Sequence, residues 1–154
     1  MNLSLYERDY YLWLENTTKL IQQQRFNEIE WDYLLEELGD VGNSEKRALV
    51  SNLVILLAHL LKLQVQFDAP ESMKISWYNS VGEHRTRVIL ALENMPSLKS
   101  YLLEAINQAY AQARKIAINE GKRAKFGIKV KPENAYPQQC PFTWEMIMDE
   151  EFYG

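Results

Sequence analysis

The sequence predicts an all-α protein, an up-down four-helix bundle with a long second helix and a short C-terminal helix. Two observations carry this prediction. Apolar residues recur at steps of three and four along most of the 154 residues, and only five prolines and six glycines interrupt them. Strand-like alternation is confined to one weak run at residues 128–131.

Composition favours one folded, water-soluble unit, and we expect a single helical domain over residues 1–154. The net charge of −4 disfavours a broad phosphate-binding surface, and the single cysteine allows no intrachain disulfide. The first residues lack a signal-peptide pattern, and the longest apolar run, residues 53–58, is far shorter than the roughly 20 residues of a membrane span. We therefore expect a cytoplasmic protein without membrane association.

The N-terminal half predicts two helices. The first covers residues 6–24, with Ser4 as N-cap in a capping box. The second covers residues 31–67 and is expected to be mostly buried. Gly39 and Gly42 weaken it, but the apolar steps keep their phase across both glycines, which favours one helix with a kink at most.

Two further helices follow. The third is expected to end near Met95, with His84 on its inner, apolar face. Ser97 is the expected N-cap of the fourth helix, and Gly121 its C-terminal stop.

The C-terminal tail is unusually apolar for a chain end. A short helix is predicted from about Thr143, docked on the bundle with Trp144 as its anchor. Any apolar patch left exposed would drive weak association into a two-fold homodimer.

Four residues are the candidates for chemistry: Glu36, Glu37, His59 and His84. Carboxylate and imidazole groups suit metal binding or acid–base work. A continuous helix would place Glu37 and His59 about 33 Å apart, at about 1.5 Å rise per residue, unless the chain folds back at the glycines or a second subunit contributes one of them. The chain has no Glu-x-x-His motif. The sequence therefore predicts neither a metal nor a cofactor.

His59 belongs to a polar strip of the long helix that also contains Lys62 and Gln66, and we expect the strip to face solvent or a wet groove. As a structural side chain, His59 would hydrogen-bond Asp9 or Glu36 of a neighbouring helix.

One basic run lies at residues 122–131 and contains Phe126 among its lysines and arginine. Such a mixture can contact phosphates and stack on a base. In an acidic chain it is more typical of a solvated loop, so nucleic acid is the less favoured partner.

Several motifs resemble a bacterial family, the one catalogued as domain of unknown function twenty-nine. They are Y-x-x-D-Y-Y-x-W at residues 6–13, W-D-Y-L-L-E-E-L-x-x-x-G at 31–42, L-L-A-H-L-L-K-L-Q at 56–64 and C-P-F-T-W-E-x-I-x-D-E-E-F at 140–152. The resemblance runs over nearly the whole chain and implies a helical bundle. It implies no activity.

These observations leave three functions open. The favoured one is a non-catalytic helical interaction module. The alternatives are a metal-dependent or acid–base enzyme that uses the four candidates, and a nucleic-acid-associated protein that uses the basic run at 122–131. The sequence identifies no substrate.

Overall fold

The computed structural model describes residues 2–124 and 129–154, and within them every regular element is helical. The α-helices are α1 (Leu5–Arg8), α2 (Tyr10–Gln22), α3 (Trp31–Val65), α4 (Glu71–Asn94), α5 (Leu102–Arg123) and α6 (Trp144–Met148). Short 3-10 turns are formed by Phe26–Glu28, Pro96–Tyr101 and Glu133–Ala135. The all-α prediction, with a long helix and a short C-terminal one, is confirmed. Ile128, the start of the weak strand-like run, lies outside the described residues.

The chain divides into two compact units, residues 1–45 and 46–154. The first contains α1, α2 and the beginning of α3, and the second contains the rest of α3 and the other helices. The expectation of one domain over 1–154 stays a prediction.

The predicted first helix is two helices. Ser4 and Glu7 form the expected capping box at the start of α1. Asp9 then leaves the helical region at φ −149° and ψ 82°, and its side chain accepts a hydrogen bond from the backbone N–H of Leu12. The prediction of one helix over 6–24 was wrong because this aspartate caps a new helix, as short acidic side chains often do.

An aromatic cluster organises the first unit. The indole of Trp13, buried on α2, lies edge-on to Tyr6 with ring centroids 4.9 Å apart. Tyr6 also stacks on Tyr33 of α3 at 4.3 Å. These contacts fix α1 and α2 on one side of α3 within the unit, because aromatic pairs add to the stabilisation that burial gives.

The long helix α3 continues through Gly39 and Gly42, as predicted. The expectation that most of it is buried was wrong for its first half, because its buried residues begin at Leu49. An 18-residue stretch of α3 has a mean hydropathy of 1.8, enough by length and composition for a membrane span. Sixty-one per cent of that stretch is buried inside the protein, and core helices of soluble proteins pass the same test.

The core of the second unit is built around the second half of α3. Four of its leucines are fully buried, namely Leu53, Leu56, Leu57 and Leu60. Helices α4 and α5 contribute further buried residues to the same cluster, among them Val81, Val88, Ala105, Ala109 and Ala113. The alanines of α5 lack bulk, which permits close approach of neighbouring helices.

Three expectations for α4 and α5 need correction. His84 is only half-buried, and Arg85 takes the buried position on the inner face of α4. Ser97 does not cap α5, since it lies inside a 3-10 turn and α5 begins at Leu102. Helix α5 also continues past Gly121 to its last residue, Arg123.

The C-terminal tail docks on the second unit, but not through Trp144. That indole is 47% exposed, whereas Ile147 is fully buried. Arg85 holds the tail because its Nε donates to the Ile147 carbonyl at 2.7 Å and its Nη2 to the Phe152 carbonyl at 2.6 Å. Its guanidinium also lies 5.4 Å from the ring centroid of Tyr153. A buried cation with carbonyl partners therefore anchors the tail.

Replacing Ile147 by Ala should lower the free energy of unfolding by about 2–5 kcal/mol, because it removes buried methyl groups and leaves a cavity. Trp144→Ala is the matched control in the same short helix and should cost about 1 kcal/mol or less, since half of that side chain is already in water. Chemical denaturation of both variants measures the difference. A larger loss for Trp144→Ala would restore Trp144 as the anchor.

Candidate functional site

The four candidate residues divide between the two units. Glu36 and Glu37 lie in the first unit, and His59 and His84 lie in the second. Helix α3 does not fold back at the glycines. Within residues 2–124 and 129–154, no group of three or more His, Cys, Asp or Glu side chains is placed to hold a metal ion.

Glu37 is held by two phenols of the first unit. The hydroxyls of Tyr6 and Tyr10 each donate to one of its carboxylate oxygens. These bonds lower the pKa of Glu37 and raise the pKa of both tyrosines, because they favour the ionised acid and the neutral phenols. Glu37 is thus an ionised acceptor that ties α1 and α2 to α3.

A polar cleft of about 270 Å³ opens in the second unit beside His59. Helices α3, α4 and α5 all contribute to its walls. The residues around it are His59, Lys62, Gln66, Met73, Ser76, Trp77, Glu120 and Ala124. It combines an imidazole, an ammonium and a carboxylate next to an indole.

Lys62 is the charged centre of this cleft. It is buried, its ammonium pairs with the half-exposed Glu120, and the nitrogen lies 5.6 Å from the ring centroid of Trp77. The expected polar strip therefore does reach a groove, but Lys62 and Gln66 are buried rather than solvated. Their burial is tolerated because both have partners, and a buried charge is otherwise costly.

His59 forms a hydrogen bond within its own helix. Its Nδ1 lies 2.9 Å from the carbonyl oxygen of Ile55 and donates to it, since a carbonyl can only accept. Burial lowers the pKa of His59, and the nearby charge of Lys62 lowers it further. The neutral ring keeps Nε2 as an acceptor at the cleft.

His84 makes the same local arrangement on α4. Its Nδ1 lies 2.8 Å from the carbonyl oxygen of Ser80. A charge on His84 would also lower the pKa of His59. Both candidate histidines therefore fix their Nδ1 within their own helix.

Gln66 is another lining residue of the cleft. Its Nε2 donates to the hydroxyl of Tyr136 at 2.7 Å, and both residues are buried. Gly121 of α5 lies against this bond, because a Cβ there would stand 2.8 Å from Gln66 Nε2 and from Tyr136 Oη. This close approach, and not a helix stop, explains the glycine at 121.

Gly121→Ala should lower the free energy of unfolding relative to Gly82→Ala. The control position lies within α4 and has no atom near an added Cβ, so alanine there should stabilise the helix by up to about 1 kcal/mol. At Gly121 the same gain is offset by disturbing a buried hydrogen bond worth about 1–3 kcal/mol. Thermal and denaturant unfolding compare the pair, and equal stabilisation by both changes would contradict this role of Gly121.

Two of the five basic residues in the run at 122–131 form ion pairs. Lys122 pairs with Glu133 at 2.8 Å, and Lys131 pairs with Asp68 at 3.0 Å. Residues 125–128, which include Phe126, lie outside the described residues, so the base-stacking part of the hypothesis stays a prediction.

The first unit carries a surface that the sequence analysis missed. Four apolar side chains of α3 lie at steps of four, three and three and are exposed; this apolar row consists of Trp31, Leu35, Leu38 and Val41. Three exposed carboxylates recur at steps of four on another face of the same helix, about 150° around it from the apolar row; they belong to Asp32, Glu36 and Asp40. The apolar row has the same helical period as the core stripe of the second half of α3. The higher density of acidic residues in the same stretch of sequence was the signal that could have distinguished the two.

The comparisons with known proteins identify the family. The family model described as "Domain of unknown function DUF29" matches residues 5–153, and the chain therefore belongs to this family. No curated protein and no solved structure matches the chain.

Proposed function

We propose that the protein is a non-catalytic interaction module, and that a partner protein binds the apolar row on α3. The observation that carries the proposal is the exposure of this row: Leu35, Leu38 and Val41 are each 61–62% exposed. Contiguous apolar surface on a folded protein is characteristic of an interaction site. Covering it is favourable, since full burial of one leucine side chain contributes about 1.5–3 kcal/mol.

The contrast along α3 supports the proposal. Leucines of its second half, such as Leu53 and Leu60, are fully buried within their own unit, whereas Leu35 and Leu38 are in water. Trp31 at the start of the row is about half exposed, and tryptophan is enriched among the residues that dominate protein interfaces.

The enzyme alternative has weaker support. Glu37 is occupied by two tyrosines, and Glu36 lies in the other unit from both histidines. What remains for acid–base work is His59 beside the Lys62–Glu120 pair in the cleft. The nucleic-acid alternative is weakened by the ion pairs of Lys122 and Lys131.

A homodimer stays part of the proposal, through a surface of the second unit. An apolar pocket of about 340 Å³ is lined by Leu92, Lys99, Leu102, Leu103 and Trp144. Leu103 and Trp144 are exposed beside it, so a second copy could cover them. We also propose a cytoplasmic location, in line with the burial of most of the apolar stretch of α3.

A photoreactive phenylalanine at position 38, introduced in the native cells, should give a covalent adduct with a discrete partner protein on irradiation. The apolar row would lie against that partner, so the probe would be within reach of it. The same probe at Ile75, which is 57% exposed on α4, is the control for random capture. Mass spectrometry identifies the adducts. Capture at Leu38 no more selective than at Ile75 would contradict the proposed function.

A further inference from the structure

The two members of the ion pair at the cleft of the second unit differ in exposure. The side chain of Lys62 is 6% exposed, whereas that of Glu120 is 44% exposed. The buried ammonium needs an anionic partner, because an unpaired charge is costly to bury. The half-exposed carboxylate can turn toward water at little cost. The pair can therefore open on the Glu120 side while Lys62 stays in place.

His59 adds a second acceptor beside this pair. It precedes Lys62 by three residues on α3, so both side chains lie on the same face of the helix. Its Nδ1 is engaged with the carbonyl oxygen of Ile55 at 2.9 Å, which leaves Nε2 of the neutral ring to accept a hydrogen bond. The cleft thus combines one cationic donor with two acceptors, the imidazole and the carboxylate of Glu120.

Trp77 of α4 gives the cleft an apolar wall and limits what it can hold. The indole is 5% exposed, and the nitrogen of Lys62 lies 5.6 Å from its ring centroid. An aromatic ring offers a large apolar surface to a ligand. The cleft volume of about 270 Å³ lies just below the roughly 300–1,000 Å³ that is usual for pockets of drug-sized ligands. The space therefore suits a small molecule.

The balance of charge selects the kind of small molecule. A simple anion that replaced Glu120 on Lys62 would leave the carboxylate of Glu120 without a partner. A simple cation bound to Glu120 would leave the ammonium of Lys62 buried and unpaired, which is costly. A molecule that carries both charges avoids both losses, because each side chain exchanges its present partner for an opposite charge on the ligand.

We propose that this cleft binds a small zwitterion of the α-amino acid class, which inserts between Lys62 and Glu120. The carboxylate of the ligand would accept hydrogen bonds from Lys62, and its ammonium would donate to Glu120 and to Nε2 of His59. The side chain of the ligand would lie against Trp77. All residues around the cleft belong to the second unit, so this binding is a function additional to that of the apolar row in the first unit.

Nuclear magnetic resonance of the imidazole nitrogens tests the site on the full chain. The chain has two histidines, and His84 is not among the residues around the cleft, so it serves as the reference for His59. The probes form two matched sets: alanine with propionate and ethylamine, and leucine with 4-methylpentanoate and 3-methylbutylamine. The second and third compounds of each set each lack one of the two charges of the amino acid.

We expect at least one of the two amino acids to shift the Nε2 resonance of His59 in a saturable manner. Titration to about 10 mM would nearly saturate a site with a dissociation constant of about 1 mM. That amino acid should bind at least about tenfold more tightly than either single-charge compound of its set, because only the amino acid satisfies both Lys62 and Glu120.

Two variants locate the charges. Glu120→Gln removes the carboxylate that would hold the ammonium, so the amino acid should then bind within about threefold of its carboxylate analogue. Glu93→Gln is the matched control, because it makes the same change at an exposed position of α4 that does not line the cleft. It should leave the tenfold preference unchanged. Melting curves verify that both variants fold, and the comparison of probes on the wild-type chain needs no variant.

Three results would overturn the zwitterion site. One is the absence of a His59 shift with every probe. Another is equal affinity of the wild-type chain for an amino acid and its carboxylate analogue, which would indicate an anion site instead. The third is an unchanged preference for the amino acid in folded Glu120→Gln, which would contradict the placement of the ammonium. None of these results bears on crosslinking at Leu38, which tests the interaction module separately.

Discussion

The structure depends on the burial of the second half of α3. From Leu49 to Val65 this helix supplies the largest share of the core of the second unit, and α4, α5 and the tail all bury side chains in the same cluster. The apolar contacts are non-directional, so they alone would allow alternative packings. Buried polar groups add direction: Gln66 selects Tyr136, and Arg85 selects two tail carbonyls.

The same kind of specific polar contact occupies ionisable side chains of the second unit. Lys62 is buried with its ammonium on Glu120, and the imidazoles of His59 and His84 are tied to carbonyls of their own helices. Each group would be costly to bury unpaired. The first half of α3 is the reverse case, because apolar side chains such as those of Leu35 and Leu38 are exposed to water.

The sequence was enough to predict the fold class, the continuity of α3 and a short terminal helix that begins next to its N-cap, Thr143. Helix periodicity could not separate the two halves of α3, because an apolar stripe has the same period whether its own chain or a partner covers it. The predictions for Trp144 and Gly121 were wrong for another reason. Trp144 was predicted to anchor the tail because it is large, and Gly121 was predicted to end the fourth helix because of its position. Packing against residues distant in sequence decides the role of both.

Hydrogen exchange along α3 tests the central claim, that one continuous helix has a core half and an exposed half. The account predicts that backbone amides of residues 53–63 are among the slowest in the chain. Amides of residues 34–44, where no side chain is fully buried, should exchange at least about a hundredfold faster through local opening. Equal protection of both halves in the free protein would contradict the account, since it would mean that the apolar row is already covered.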